Sequence, residues 1–273
     1  MMSWLDRPAS ETQITHRNRL WLYALGILTL AFLVLPTLIV VPMSFSDSQY
    51  LEFPPRRWSL RWYEAYFASA SWMDATATSL KAGILTALIA TPLGTAAAYG
   101  FFHSRFWFGN LGFWLLMTPI IVPVILVGIA IFYAYVQLKL VNSLIGIVLA
   151  HAVLAIPIVL VIVTSALKSF DANQERAAQS LGASRARAFF LVVMPQIRFP
   201  LVTAAIFAFL TSFDEVVVAI FISGGPNSTL TRNMFASLRD QIDPTIAAIS
   251  SIMIAATTVL ILLTQLRGGG RQR

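Results

Sequence analysis

The chain has no cysteine among its 273 residues. That excludes a disulfide framework and any thiolate metal site. Charge is also scarce: only 11% of residues are Asp, Glu, Lys or Arg, which is not the composition of a soluble protein. The three histidines, His16, His103 and His151, stand far apart in sequence. His103 sits at an expected helix end, a common place for a cation. His151 falls within an apolar run, where a packing role outweighs a ligand role. There is no GxxxxGK[ST], no HExxH and no GxSxG, so neither a phosphate-binding loop nor a hydrolase signature is present. Gly224-Gly225-Pro226-Asn227 reads as a turn, since no lysine follows it to meet a phosphate.

What remains is apolar. Hydrophobic residues make up 58% of the chain and the mean hydropathy is +0.75. Runs of about 20 apolar residues suffice to cross a bilayer core of about 30 Å. The reading is an all-α polytopic membrane protein of six transmembrane helices, near 20–43, 76–102, 111–136, 144–167, 199–223 and 245–266. The first run is too long for the apolar part of a signal peptide and is read as a span. Pro119 and Pro123 interrupt the third run, and Pro157 lies inside the fourth. Residues 1–19 form a polar N-terminal segment. Residues 267–273 form a Gly- and Arg-rich tail expected to be disordered.

The segment 44–75 is a polar and aromatic loop with a short helix expected over Leu60–Phe67. Trp58, Trp62, Tyr63, Tyr66 and Trp72 suit a membrane-surface belt. An aromatic ligand platform is the less common use.

Six spans place both termini on one side. With that side cytoplasmic, the inner segments carry Arg7, Arg17, Arg19, Arg105, Lys168, Arg176, Arg185, Arg187, Arg198, Arg267, Arg271 and Arg273, twelve in all. The outer segments carry Arg56, Arg57, Arg61, Lys81, Lys139, Arg232 and Arg239, which is seven. The positive-inside rule selects this orientation. The net charge of +7 therefore reflects topology, not a nucleic-acid footprint.

The longest polar interval in the C-terminal half is Gln174–Pro195, QERAAQSLGASRARAFFLVVMP. It reads as two short helices with a break. Asp171 caps the first, with Gln174 as its reciprocal partner. Gly182 stops that helix, and Ser184 caps the second. Ala186, Phe189, Phe190 and Val193 fall at i, i+3, i+4 and i+7, one helical stripe. Pro195 ends it.

Ala177, Ala178, Leu181, Gly182, Ala183, Phe189, Val192 and Pro195 resemble the EAA loop of bacterial ABC-importer permeases. One departure is visible. Arg176 stands where the pattern has glutamate, with Glu175 one position earlier. The resemblance implies a type I importer permease (MetI-like) fold, with residues 168–198 as a cytoplasmic loop that docks on an ATPase. Glu175, Arg176, Ala177, Ala178, Leu181, Gly182, Ala183, Phe189 and Pro195 would form the contact. It also implies a second related permease, two ATPase subunits that use ATP and Mg, an external substrate-binding protein, and residence in the bacterial inner membrane. This chain itself would bind no cofactor and no metal.

Asp214 and Glu215 are carboxylates within the fifth apolar run. An acid there costs about 2.5–3.5 kcal/mol on insertion scales, so it should face a cavity or a partner. A cationic solute fits such a site. Capping of an interrupted helix, with Thr211 and Ser212 as local partners, is the alternative. SFDEVVVAIFISG, DPTIAAISSIMI and SLRWYEAYF resemble the polyamine (spermidine and putrescine) branch of these permeases. Tyr133 and Tyr135 are further candidates for the path, through cation–π contact, against the commoner packing role. Another small amine or an amino-acid-like solute suits the same machinery. A channel leaves the 168–198 loop without a purpose, and a gradient-driven transporter is disfavoured by the lack of two similar halves.

Overall fold

The computed structural model describes residues 15–104, 108–240 and 243–268. Among these residues the architecture is helical, with one isolated antiparallel bridge, Ser46 to Trp58. Arg7, Arg105, Arg271 and Arg273, and the 269–273 part of the expected disordered tail, lie outside the described residues. The chain divides into two compact units.

The first unit comprises Met1–Tyr66 with Ile242–Leu260. Its main helix, α1 (Leu20–Met43), buries none of its residues within the chain. It is apolar all round, which suits a surface helix only if lipid or another subunit covers it. The loop that follows is organised by polar contacts. Tyr63 Oη and Ser44 Oγ are 2.7 Å apart, and Trp62 Nε1 donates to the Ser48 carbonyl at 3.1 Å. The short helix appears as α2 (Arg61–Ala68). The aromatic residues of this region differ in exposure. Trp58 is 70% exposed, whereas Tyr66 and Trp72 are buried. Each ring is placed by its helix face, which a list of aromatics along a loop does not encode.

The second unit, Phe67–Gln241 with Ile261–Arg273, holds the packed centre. Here α3 (Ala70–His103), α6 (Leu144–Lys168) and α9 (Arg198–Asp214) pack on one another. Between α3 and α6 run α4 (Phe108–Ile121) and α5 (Val124–Leu138). Small residues let these backbones approach, as is usual where no hydrophobic force separates helix from lipid. Ala82, Ala90 and Ala98 of α3 are fully buried. A Cβ on Gly94 would sit 2.6 Å from Val159 Cγ1, and one on Gly83 would sit 2.8 Å from the Phe209 ring. Glycine is therefore required at both crossings.

Three helices, His16–Met43, Ala70–His103 and Leu144–Lys168, are each long and apolar enough to cross a membrane. α3 starts at Ala70, six residues before the expected 76, because Ser69 Oγ accepts the Trp72 N–H. The third apolar stretch is not one straight span. Leu111–Ile121 and Val124–Leu138 meet at 102°. Pro123 has no N–H to continue the ladder and disfavours helix in the residue before it. The fifth stretch is also broken. α9 ends at Asp214 and a short helix, α10, resumes over Val217–Ile222. It packs on α5, where Gly128 makes room for Phe221. The last stretch is a helix over Thr245–Gly268, apolar over Thr245–Val259.

His151 is fully buried in α6, with Nδ1 2.8 Å from Ser212 Oγ on α9. The satisfied packing role expected of it is met at that nitrogen alone, because Nε2 is buried with no hydrogen-bond partner among the described residues.

Candidate functional site

The 168–198 segment forms two helices and a sharp turn. α7 (Ala172–Ser180) begins where Asp171 Oδ1 accepts the Asn173 N–H at 3.0 Å. The reciprocal half of the expected capping box does not form. Gln174 instead accepts a bond from the Gln196 side-chain amide at 2.8 Å, which closes the base of the loop. At the other end, Gly182 has φ +92°. Its N–H donates to the Gln179 carbonyl at 2.9 Å and the Ala183 N–H donates to the Ala178 carbonyl at 3.1 Å. This is the paired 5→2 and 6→1 pattern of a Schellman stop. α8 (Arg185–Gln196) follows, with Ser184 Oγ accepting the Arg187 N–H.

The buried face of α8 differs from the expected stripe. Ala188, Val193 and Ile197 are buried, while Ala186 and Phe190 are exposed. The cause is a π-helical turn over Phe189–Val193. A wider turn moves the facing residue from i+4 to i+5, and Ala188 to Val193 is that step. Pro195 lies inside the last helical turn, and the chain bends by 82° after it into α9.

α7 is fastened to the end of α3. Glu175 is 1% exposed. Its Oε1 accepts from the Tyr99 hydroxyl and from Gln179 Nε2 at 3.1 Å. His103, the last residue of α3, places Nε2 3.0 Å from Glu175 Oε2. His103 Nδ1 lies 3.1 Å from the Tyr99 carbonyl. The Tyr99 ring sits between Phe189, 4.8 Å away edge-on, and His103, 4.4 Å away. Phe189 thus braces α8 to the same point that holds α7. A recess of about 780 Å³ opens beside this cluster, lined among others by Glu175, Arg176, Gln179 and Arg185.

The other residues singled out in the loop face outward. Arg176, Ala177, Gly182 and Pro195 are exposed. Leu181 is 90% exposed. Ala178 and Ala183 are half-buried. Tyr99, His103 and Gln179 were not singled out as partners of Glu175. The available signal was the i, i+4 spacing of a tyrosine and a histidine on one face at the end of an apolar span.

A second polar feature lies at the start of α3. Ser71, Asp74 and Ala75 meet Gly225, Pro226, Ser228, Arg232 and Asn233 around a recess of about 330 Å³. Residues 230–240 form α11 (Leu230–Asp240), tied to α3 by the Leu230 N–H on Ser79 Oγ at 2.8 Å. Along α3 (Ala70–His103) the recess at Ser71–Ala75 and the Glu175 cluster at Tyr99–His103 lie about 40 Å apart at ~1.5 Å per residue.

Asp214 and Glu215 stand at the break between α9 and α10 and do different things. Glu215 Oε1 accepts the Val218 N–H at 2.6 Å, capping α10. The Glu215 carbonyl accepts from Thr231 Oγ1 at 2.9 Å. Asp214 is exposed and makes no ion pair among the described residues. Thr211 bonds the Phe207 carbonyl and Ser212 meets His151, so neither partners these acids. Tyr135 is buried in a cluster with Ile147, Val148, Val218 and Ile222. Tyr133 is 68% exposed, so the two tyrosines do not share a face.

A helical domain with a two-helix loop fastened to the end of α3 is the arrangement of the described residues, and the family and relatives it matches are transport permease subunits. The chain belongs to the binding-protein-dependent transport system inner membrane component family, whose match covers residues 90–267. It is thus a multi-pass subunit of an ATP-binding-cassette importer, a family that works with separate ATPase and substrate-binding partners. The putrescine transport system permease protein PotI of Escherichia coli (strain K12) is 30% identical over 247 residues, 88% of each chain. The spermidine/putrescine transport system permease protein PotC of Haemophilus influenzae is 27% identical, over 86% of this chain and 91% of its own. The crystal structure of a bacterial ABC transporter for the acidic polysaccharide alginate contains a chain with the same fold. It has a TM-score of 0.67 and 12% identity, and the match covers 95% of this chain and 99% of that one.

Proposed function

We propose that this chain is one of two related permeases of a bacterial inner-membrane importer for putrescine or spermidine. It pairs with a second permease, two ATPase subunits and an external binding protein. It crosses the membrane six times, with both termini and the 168–198 loop in the cytoplasm. The excess of arginine and lysine on that side supports the orientation. The observation that carries the substrate is the similarity over nearly nine-tenths of the chain to a putrescine permease at 30% identity, with an unpaired Asp214 at a helix break.

In this mechanism the binding protein delivers the solute at the 330 Å³ recess end of α3. The free Asp214 carboxylate offers a charge-compensated step for an ammonium group within the span. Glu215, spent on capping α10, holds the break open. ATP binding moves the docked loop, and the brace between Glu175, Tyr99 and His103 passes that motion into α3. α3 then tilts the packed α3–α6–α9 centre between outward and inward access. A rigid helix suits this task because packed elements switch and do not deform continuously.

The test is uptake of labelled putrescine and spermidine by cells expressing the complete system. Asp214→Asn should lower uptake steeply at equal membrane abundance. Glu215→Gln keeps a capping oxygen and should lower it less. No uptake of either polyamine by the parent would discard this substrate in favour of another small amine or an amino-acid-like solute. Uptake that collapses with an uncoupler while ATP is held constant would point to a gradient-driven transporter.

A further inference from the structure

The polarity of the docking loop is inverted relative to the pattern it resembles, and this has a consequence for the partner. Resting on the coupling role just proposed, we infer that Arg176 and Arg185 make the polar contact with the ATPase, whose groove must therefore be acidic. Glu175 takes no part in that contact.

Glu175 faces its own chain. Its carboxylate is enclosed by Tyr99, Gln179 and His103, and only 1% of the residue is exposed. Reaching a partner would break all three contacts and leave half-buried Tyr99, Gln179 and His103 without them, an unfavourable exchange. Arg176 follows it and points about 100° further round α7. It is exposed, and among the described residues its guanidinium makes one hydrogen bond, a long 3.4 Å one to Asn173.

The surrounding charge has one sign. Between residues 168 and 198 the bases are Lys168, Arg176, Arg185, Arg187 and Arg198, and the acids are Asp171 and Glu175. With Glu175 enclosed, Asp171 is the single exposed acid of the loop. None of the five bases has an ion-pair partner among the described residues. Arg185 and Arg187 also sit in the first turn of α8, where the helix dipole disfavours cations. Their charge does not serve the helix that carries them, which points to a use outside the chain.

The apolar part of the surface lies between them. Leu181, 90% exposed, projects from the turn that links α7 to α8. An apolar knob flanked by guanidinium groups fits a groove with an apolar floor and a carboxylate rim.

The experiment uses the intact complex in bilayer discs and measures ATPase-subunit affinity as a function of salt. The parent should lose affinity steeply as NaCl rises. The double variant Arg176→Glu with Arg185→Glu should bind about tenfold or more weakly at low salt, since repulsion replaces attraction, and should lose most of the salt dependence. Glu175→Gln should keep the parent's salt dependence while ATP-driven uptake falls. Equal affinity and equal salt dependence in the double variant would overturn the inference. So would a defect seen in discs of anionic lipid and absent from neutral ones, which would assign the arginines to the membrane surface. A parent permease pair that retains no ATPase at any salt would instead sink the coupling role itself. Salt-independent retention that Leu181→Ala abolishes would leave that role standing and refute only the acidic groove.

Discussion

Gly182→Leu separates docking from insertion. Gly182 has φ +92°, and a Cβ built there meets nothing within 4 Å. The substitution therefore costs backbone conformation and not packing. Holding a non-glycine residue in the left-handed region costs about 1–2 kcal/mol. The alternative is to give up the stop formed by the Gly182 and Ala183 N–H groups. Either way the population of correctly turned loops falls by about 5–30-fold. The turn is remote from the packed α3–α6–α9 centre, so membrane abundance should hold. The assay is ATP-driven uptake in proteoliposomes of the full complex, beside ATPase activity in the same samples. Uptake should be largely lost in Gly182→Leu and partly retained in Gly182→Asn, because asparagine tolerates the left-handed region better. Normal uptake in Gly182→Leu at equal abundance would refute the reasoning.

Other expectations follow from the packing. Gly94→Leu drives a side chain into Val159, already 2.6 Å from a bare Cβ, and should destabilise the fold by about 1–3 kcal/mol. Gly100→Ala, with nothing within 4 Å of its Cβ, should raise stability by about 0.5–1 kcal/mol in the same thermal-unfolding series. Glu175→Ala strands the Tyr99 hydroxyl and should lose about 1–3 kcal/mol, read as a lower unfolding temperature in detergent. Tyr135→Ala empties part of a buried cluster and should cost about 3–5 kcal/mol; Tyr133→Ala should leave unfolding unchanged.

The 168–198 loop was legible because its signals are local. Asp171, Gly182 and Ser184 each act on backbone within three residues of themselves, and each stands where a cap or stop was expected. The Glu175 brace was not legible. Its partners lie on α3, more than seventy residues earlier, and only the folded chain brings them together. The π turn in α8 escaped for another reason: Phe-Phe-Leu-Val-Val has the same apolar pattern in an α or a π turn, yet the two bury different faces. Composition located the apolar stretches, but helix bends depend on single residues. Pro123 marks a 102° turn, while Pro36, Pro92 and Pro157 lie inside continuous helices. The split of Asp214 from Glu215 needed the position of the α10 N-terminus, which adjacent acids do not reveal.

The most direct test of the account is ATP-driven accumulation of labelled putrescine and spermidine in proteoliposomes holding both permeases, the ATPase and the binding protein. Accumulation that requires internal or external ATP at the ATPase face, survives an uncoupler and drops steeply with Asp214→Asn is the predicted result. Binding-protein-dependent ATP hydrolysis with no accumulation of either polyamine, or accumulation unchanged in Asp214→Asn, would contradict it.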